Sequence, residues 1–301
     1  MAISYQQILP RQTMAAAAET FQISGSIPTN TGIEALIFKI DALQSGGTDS
    51  TDVALPDKLN ILTLTSSTVK TEINNSDLTR FNQRVIGSRP TTMIGETDNY
   101  GLCQTNTMYL NPIVDNGNIC FDENYGANPG AIRQISVLTN ADQTAMDNSF
   151  LTVWAVTNTA KQNTKGYTQF KRKVRTCVAG AFEDDLISDL SRYLGWFSYI
   201  QTGAKDSTSA VPAGMTVRGV QFMGSSGAVM DQVTSDAIVS GGIRYMTDTA
   251  TATSVTVTNY DTLWLDFGIR NGGRSINSSS FVRVEEGAAN VRRSYHVGIN
   301  Y

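Results

Sequence analysis

The sequence predicts a mostly β fold with short helices, built from half-buried antiparallel strands. If residues 32–42 are extended, Leu36, Phe38 and Ile40 point to one face while Lys39 and Asp41 point to the other. Similar patterns recur at residues 150–157 and 262–269. Short strands separated by turn residues are typical of β-sandwiches or barrels rather than of βαβ units.

The length and composition are those of a protein with a large core and a surface poor in charge. A chain of 301 residues buries roughly 75% of the surface that it exposes when unfolded, so it needs no metal or disulfide to fold. Charged residues make up 17% of the chain, against about 25% in typical soluble domains. Low surface charge weakly favours contact with neighbouring molecules. The net charge of −4 does not suggest a nucleic-acid-binding protein.

The predicted organisation is an N-terminal arm followed by two β-rich halves. The arm spans residues 1–20, and residues 14–19 within it can form a turn or two of helix. The polar segment 158–166 is the predicted boundary, so the halves are residues 21–160 and 161–301. Strands are predicted at residues 21–27, 33–42, 59–65, 132–138 and 150–157, and then at 167–178, 215–223, 237–246, 254–259, 262–269, 281–285 and 292–301.

Each half also contains one predicted amphipathic helix, at residues 76–87 and at residues 182–195. Ser76 is placed to cap the first helix, and Gly87 and Gly195 are placed to end the two helices. The apolar residues that share a helical face are Leu78, Phe81 and Val85 in the first helix and Phe182, Leu186, Leu190, Tyr193 and Leu194 in the second.

The three cysteines, Cys103, Cys120 and Cys177, are odd in number and lack the CxxC spacing of a zinc site. We expect them to be small buried residues in a protein made in a reducing cytoplasm. The N-terminus does not resemble a secretory signal. No apolar run approaches the roughly 20 residues needed to cross a bilayer.

No catalytic constellation is apparent, so the sequence predicts that the protein is not an enzyme. His296 is the only histidine, and it occupies a strand position that is either solvent-facing or packed. No Gly-x-Ser-x-Gly motif accompanies it. The acidic pair Asp184-Asp185 is explained by the first turn of the predicted second helix, and Glu285-Glu286 by a solvated turn.

The sequence predicts no metal or other cofactor. Asn116-Gly117 is typical of a type I′ turn, which predicts a hairpin within residues 108–121. The nearby oxygen-bearing residues could hold calcium, but they lack the spacing of an EF-hand loop and the hairpin already explains them. These residues are Asp115, Asn116, Asn118, Asp122 and Glu123.

The one uneven charge feature is a basic cluster in a stretch without acids between Asp147 and Glu183. Such a cluster could face an anionic lipid surface or phosphates. The alternative is a solvated linker and strand edge, where lysine also prevents unwanted strand pairing. The cluster consists of Lys161, Lys165, Lys171, Arg172, Lys173 and Arg175.

This layout resembles the double jelly-roll major capsid proteins of the tectivirus, corticovirus and adenovirus lineage, which includes phages with an internal membrane. The shared features are a short arm with a helical turn, an alternating strand after it, two β-rich halves that each contain a helix, few charges and no active site. Residues 33–42 and 150–157 resemble an early and a late strand of the first roll.

The resemblance implies two jelly-roll sandwiches side by side, in a protein that assembles with itself. Homotrimers would form pseudo-hexagonal capsomers, which would tile an icosahedral capsid over a lipid membrane. The implied partners are neighbouring capsomers, penton and minor capsid proteins, and the lipid of a membrane. The resemblance implies no sequence-specific binding of nucleic acid. The implied location is the virion, after assembly in the host cytoplasm.

Two other functions remain open from the sequence. The first is a different phage structural protein, such as a tail tube, spike or fibre component, which would also be β-rich and oligomeric. The second is a jelly-roll carbohydrate-binding module or glycosidase, which would use tryptophans as stacking platforms. Its candidates are Trp154, Trp196 and Trp264, of which Trp154 and Trp264 lie where a strand would bury them.

Overall fold

The structure is a computed structural model, and the chain divides into two compact units by its internal contacts. The units are Met1–Gln169 with Tyr301, and Phe170–Asn300. The limits predicted for the arm and the two rolls stay predictions. The structure describes residues 3–14, 18–22, 31–44, 59–65, 70–86, 91–94, 100–110, 112–115, 118–121, 132, 134–139, 146–160, 166–202, 217–224, 229–234, 262–266, 274–276, 279–286 and 289–300.

The described part of the first unit contains two antiparallel sheets, a hairpin and a helix. Its strands are β1 (Ile3–Met14), β2 (Ala18–Gln22), β3 (Gly32–Gln44), β4 (Leu59–Thr65), β5 (Lys70–Ile73), β6 (Thr91–Ile94), β7 (Tyr100–Tyr109), β8 (Pro112–Asp115), β9 (Asn118–Phe121), β10 (Gln134–Thr139) and β11 (Met146–Asn158). Helix α1 (Asn75–Phe81) continues into a π-helical turn, Asn82–Ile86. One sheet has the order β1-β11-β3-β7-β6, the other has the order β2-β10-β4-β5, and β8 pairs with β9.

The described part of the second unit contains two further antiparallel sheets. Its strands are β12 (Tyr167–Cys177), β13 (Phe182–Leu186), β14 (Arg192–Thr202), β15 (Val217–Met223), β16 (Val229–Thr234), β17 (Thr262–Asp266), β18 (Arg274–Ser275), β19 (Phe281–Glu286) and β20 (Asn290–Asn300). Strand β12 begins at the end of the first unit and runs into the second. One sheet has the order β12-β20-β14-β17, with β18 pairing with β14, and the other has the order β13-β19-β15-β16.

Both units have the strand order of a jelly roll. When β6, β8, β9 and β18 are set aside, eight described strands remain in each unit. In each, the first, eighth, third and sixth strands form one sheet, and the second, seventh, fourth and fifth form the other. Two four-stranded sheets of interleaved Greek keys define the jelly roll. The predicted fold class, a mostly β double jelly roll, is confirmed.

The alternation predicted for residues 32–42 is confirmed in β3. The buried row consists of Leu36, Phe38 and Ile40 in β3 and of their cross-strand partners Ala155, Val153 and Leu151 in β11. On the opposite face, Lys39 and Asp41 form an ion pair 3.0 Å long. Because full burial of one large aliphatic or aromatic side chain stabilises the fold by about 1.5–3 kcal/mol, this row is a major part of the first core.

The predicted helix at residues 76–87 is confirmed, although its cap is not the predicted one. Leu78, Phe81 and Val85 are buried as expected. Asn74, rather than Ser76, occupies the N-cap position, and it makes no capping hydrogen bond through its side chain. Gly87 lies outside the described residues.

Helix α1 is held on β7 by the completely buried Asn106, a contact that the sequence did not predict. The Asn106 Nδ2 atom donates hydrogen bonds to Asn75 Oδ1 at 3.0 Å and to Thr79 Oγ1 at 3.1 Å. Its Oδ1 atom accepts a hydrogen bond from Asn82 Nδ2 at 3.0 Å. Buried amides are stable only when they are paired, so Asn106 fixes the position of the helix.

In the second unit, the inner faces of the two sheets pack against each other. Tyr193 of β14 stacks on Phe222 of β15, with ring centroids 5.5 Å apart. This apolar core contains Ile187, Tyr193, Trp196, Val220, Phe222, Leu265, Val282 and Val284. Face-to-face packing of two antiparallel sheets makes this unit a β-sandwich.

The helix predicted at residues 182–195 is wrong. Residues Phe182–Leu186 form β13, and Gly195 lies within β14. Phe182 and Leu186 are four residues apart, a spacing that places side chains together on a helix but also on one face of a strand. Because every residue of β13 pairs with β19, this segment forms a strand rather than a helix.

The helical turn predicted at residues 14–19 is also wrong, because the described residues of this segment lie in strands. Met14 ends β1, and Ala18 and Glu19 begin β2. Strand β1 pairs with β11 and β2 pairs with β10. The ladders stabilise both segments through backbone hydrogen bonds to neighbouring strands, whereas a helix this short is only marginally stable on its own.

The hairpin predicted within residues 108–121 is confirmed, because Asp115 and Asn118 are paired at the ends of β8 and β9. Its turn residues, Asn116 and Gly117, lie outside the described residues. The strands predicted at residues 237–246 and 254–259 lie outside them as well.

Candidate functional site

His296, the sequence candidate for catalysis, is a core residue of β20. It is completely buried, and its Nδ1 atom is 3.0 Å from the Tyr193 hydroxyl. Burial lowers the pKa of His296 to about 4, because the charged ring would lose its hydration. Burial also raises the pKa of Tyr193 well above its usual value. Both groups are therefore neutral near pH 7 and sealed from solvent, as expected of a packing pair.

An ion network with a buried centre and a partly exposed edge lies beside this pair and connects both sheets of the second unit. Asp185 of β13 accepts hydrogen bonds from Arg175 of β12 and from Arg292 of β20, the latter at 3.5 Å. Arg292 also donates from Nε to Glu286 Oε1 of β19 at 2.8 Å. Arg175 reaches Glu183 Oε2 at 2.9 Å. We call these five side chains the ion network.

The interpretations predicted for the acidic pairs Asp184-Asp185 and Glu285-Glu286, a first helical turn and a solvated turn, are therefore both wrong. Asp185 is buried among arginines rather than exposed in a first helical turn, and Asp184 forms a two-pronged pair with Arg283 at 2.7 Å. Glu286 is completely buried rather than solvated. Burial raises the pKa of Glu286, and the charge of Arg292 opposes that shift.

Cys177 borders the ion network as a free, buried thiol. Burial and the neighbouring carboxylate of Glu286 raise the pKa of this thiol to about 11. The prediction that it is a small buried residue is confirmed. The side chains of Cys103 and Cys120 lie outside what the structure describes.

Four members of the predicted basic cluster lie on β12, and Lys161 and Lys165 lie outside the described residues. Arg175 belongs to the ion network. Lys171, Arg172 and Lys173 are half-buried. Burial lowers the pKa of Lys171, and the nearby charge of Asp189 opposes that shift.

The surface that stands out is the outer face of β13, which we call the β13 face. Phe182 and Leu186 are 61% and 49% exposed there, although both are large and apolar. Between them lies Asp184, bound to Arg283, which in turn lies over the ring of Phe281 at 5.6 Å. In the described sheet β13 is an edge strand that pairs only with β19.

A second exposed apolar surface lies on β1, near the start of the sequence. Ile3 and Tyr5 of β1 are 55% and 71% exposed. Strand β1 is the edge of its described sheet and pairs with β11. Exposed apolar residues on edge strands are typical of surfaces that contact other proteins.

The tryptophans proposed as stacking platforms are mostly enclosed. Trp196 is completely buried and Trp264 nearly so, while Trp154 is half-buried. Among the residues described, no cluster of acidic, histidine or cysteine side chains could hold a metal ion. Within the same residues, no helix has both the length and the apolar character needed to span a membrane.

No protein-family model and no curated protein matches the sequence. Solved virus structures do match. The MCP of STIV, the Sulfolobus turreted icosahedral virus, aligns with 100% of this chain and 97% of its own, with a TM-score of 0.66 and 10% identity. The chain has the fold of the double jelly-roll major capsid proteins.

Two further viral structures support the same fold. The major capsid protein of bacteriophage PM2 is similar over 100% of this chain and 98% of its own, with a TM-score of 0.59 and 11% identity. A structure of the PBCV-1 virus capsid covers 99% of this chain and 93% of its own, with a TM-score of 0.51 and 10% identity. Because the match runs along whole chains, both jelly rolls of the capsid fold are present here.

Proposed function

We propose that this chain is the major capsid protein of an icosahedral virus. The observation that carries the proposal is the pair of jelly-roll strand orders in a single chain, matched along its whole length by viral major capsid proteins. Three charged residues of the second unit, Asp185, Glu286 and Arg292, support it, because they are sealed in a core rather than gathered in a solvent-filled cleft. In this role the protein acts by forming contacts with other capsid protein molecules.

In this proposal the chain forms homotrimers, which act as pseudo-hexagonal capsomers. These capsomers contact one another and penton and minor capsid proteins, and they assemble in the host cytoplasm into a shell. A bacteriophage with an internal membrane is the proposed virus. Residues 21–160 and 161–301 are the proposed rolls, with residues 1–20 as the proposed arm.

The mass of the purified protein tests the trimer. We expect a stable species near three times the 32.6 kDa chain mass, seen by light scattering after size-exclusion chromatography. Negative-stain electron microscopy should then show hexagonal outlines. A clean monomer at assembly concentrations, or tubes and fibres in place of hexagonal particles, would contradict the proposal.

The β13 face is our candidate for a contact between copies. Its exposed Phe182 and Leu186 surround a neutralised Asp184–Arg283 pair, which leaves little charge to desolvate on contact. Replacing both apolar residues with serine should lower the fraction of assembled particles without unfolding the chain. The matched control is Val174→Ser, which changes a residue of similar exposure on β12. Equal assembly in both variants would remove the β13 face from the proposal.

The basic cluster is our candidate for the side that meets lipid. Liposome flotation with anionic and zwitterionic vesicles tests this, because attraction of the cations to lipid requires anionic headgroups. The informative variant changes Lys161, Lys165, Lys171, Arg172 and Lys173 to glutamine but keeps Arg175, because Arg175 holds Asp185 in the core. Loss of flotation on anionic vesicles is the expected result, and unchanged flotation would contradict this part of the proposal.

A further inference from the structure

The inner face of the paired strands β14 and β20 carries a row of polar side chains inside the second sandwich. Trp196 lies opposite His296 in the strand register, and Ser198 lies opposite Ser294. Arg292 is on the same face as Ser294 and His296, because residues two apart on a strand share a face. The guanidinium carbon of Arg292 is 5.3 Å from the ring centroid of Trp196. These polar groups therefore lie close together.

Several atoms in this row have no hydrogen-bond partner among the described residues, although their side chains are almost completely buried. These atoms are Trp196 Nε1, Ser198 Oγ, Arg292 Nη2, His296 Nε2 and, from the facing sheet, Glu286 Oε2. A buried polar atom without a partner forfeits its hydration and gains nothing in return. A sandwich with five such atoms in one region needs a ligand that pairs with them.

The charges and donors of the region favour a neutral ligand. The arginines Arg175 and Arg292 are paired with the carboxylates of Asp185, Glu286 and the partly exposed Glu183, so an added anion would meet a surplus of negative charge. An added cation would meet the unpaired donors Arg292 Nη2 and Trp196 Nε1. The ligand must also both donate and accept hydrogen bonds. Glu286 Oε2 requires a donor, whereas Arg292 Nη2 and Trp196 Nε1 require an acceptor.

The hydrogen bond of His296 points to the same ligand. When the Tyr193 hydroxyl donates to Nδ1, the neutral ring carries its proton on Nε2. Nε2 and the opposing Trp196 Nε1 are then both donors, and an oxygen with two lone pairs can accept from both. With the other tautomer Nε2 is an acceptor, and the same oxygen can donate to it.

We propose that the second unit contains ordered internal water molecules on the inner face of β14 and β20, bound by Trp196, Ser198, Arg292 and His296. Globular proteins hold about one buried water per 27 residues, typically with about three hydrogen bonds each. These waters connect the Tyr193–His296 pair to Arg292 of the ion network in one hydrogen-bonded region.

A high-resolution crystal structure of the full chain tests the site directly. We expect water density within about 2.7–3.2 Å of at least two of the five unpaired atoms named above. A bromide soak distinguishes the ligands, because an anomalous bromide peak at this position would overturn the assignment to water. A region without density within hydrogen-bonding distance would overturn it as well.

A stability measurement tests the site independently of crystals. If Ser198 Oγ binds water, Ser198→Ala should raise the unfolding equilibrium constant by about fivefold, the usual effect of losing one hydrogen bond. Ser275→Ala is the matched control, because Ser275 is exposed on β18, which pairs with the same strand β14, and should leave the constant unchanged. Equal or greater stability of Ser198→Ala than of the unaltered chain would mean that the hydroxyl is dry, and would overturn the proposal.

Discussion

The Nε atom of Arg292 donates a 2.8 Å hydrogen bond to Oε1 of Glu286, and both side chains are completely buried. The two residues lie on β20 and β19, which belong to different sheets of the second jelly roll. Burial of an ion pair costs much of what the attraction between its charges gains. The pair therefore contributes more to the alignment of the two sheets than to net stability.

Replacing Arg292 alone with methionine should destabilise the second unit by about 3–5 kcal/mol, because Glu286 would keep a buried charge without its partner. Urea unfolding followed by tryptophan fluorescence measures the loss. The double variant Glu286→Leu/Arg292→Met should recover much of it, since Asp185 keeps Arg175. The control is Arg283→Met, which breaks an exposed pair and should have little effect. A loss below about 1 kcal/mol in Arg292→Met would contradict the role of the pair.

His296 should make the second unit sensitive to acid. Its folded pKa of about 4 lies below the ordinary value of 6.5. The unfolded chain therefore takes up this proton first, and the stability from the neutral ring is present above pH 6.5 and lost as pH falls toward 4. The loss attributable to this residue is about 3 kcal/mol. The charged groups that act on it are Asp185, which opposes the shift, and Lys173, Arg292 and Arg175, which reinforce it.

The measurement is the free energy of unfolding between pH 7 and pH 4 for the unaltered chain and for His296→Gln. Glutamine can still bond to the Tyr193 hydroxyl but does not titrate. The variant should lose less stability over this interval. The raised pKa of Glu286 acts in the opposite direction, but it is present in both proteins and cancels in the comparison. Parallel pH curves would show that His296 does not titrate in this range.

The sequence predicted the strands whose pattern is strictly alternating. In β3 every second residue from Leu36 to Ile40 is buried, and β4 has the predicted bounds, residues 59–65. Local periodicity is sufficient there because one face of the strand meets the core and the other does not. The amphipathic pattern of Leu78, Phe81 and Val85 was equally informative for helix α1.

The second predicted helix failed because its evidence was local and the deciding contacts are distant. Asp184 forms an ion pair with Arg283, and Asp185 forms ion pairs with Arg175 and Arg292. These three arginines lie on three other strands. Such partners are up to about a hundred residues away, so a helical first turn explained the acids equally well on sequence grounds. The buried ion network could not be found from sequence for the same reason. Its only signal in the sequence was the presence of Glu286 and Arg292 six residues apart along the chain.

The Cys177 thiol should be unreactive in the folded protein. With its pKa raised to about 11, only about one thiol in a thousand is ionised at pH 8, and the side chain is also buried. A variant with serine at Cys103 and Cys120 isolates this thiol. Its reaction with an aromatic disulfide reagent should be very slow until urea unfolds the chain and fast afterwards. Rapid reaction without denaturant would contradict the burial of Cys177 beside Glu286.

Asn106→Leu should loosen helix α1, because it removes the amide that binds both Asn75 and Thr79 and accepts from Asn82. Leucine has a similar volume, so the main effect is to remove three buried hydrogen bonds, at a cost of about 2–4 kcal/mol in total. Hydrogen exchange of the backbone amides in α1 should speed up more than that of β3. The control is Thr20→Val, which removes an exposed side-chain hydrogen bond to Ser136 and should change little. If the helix stays as protected in Asn106→Leu as in the unaltered chain, apolar packing of Leu78 and Phe81 alone holds it on the sheet.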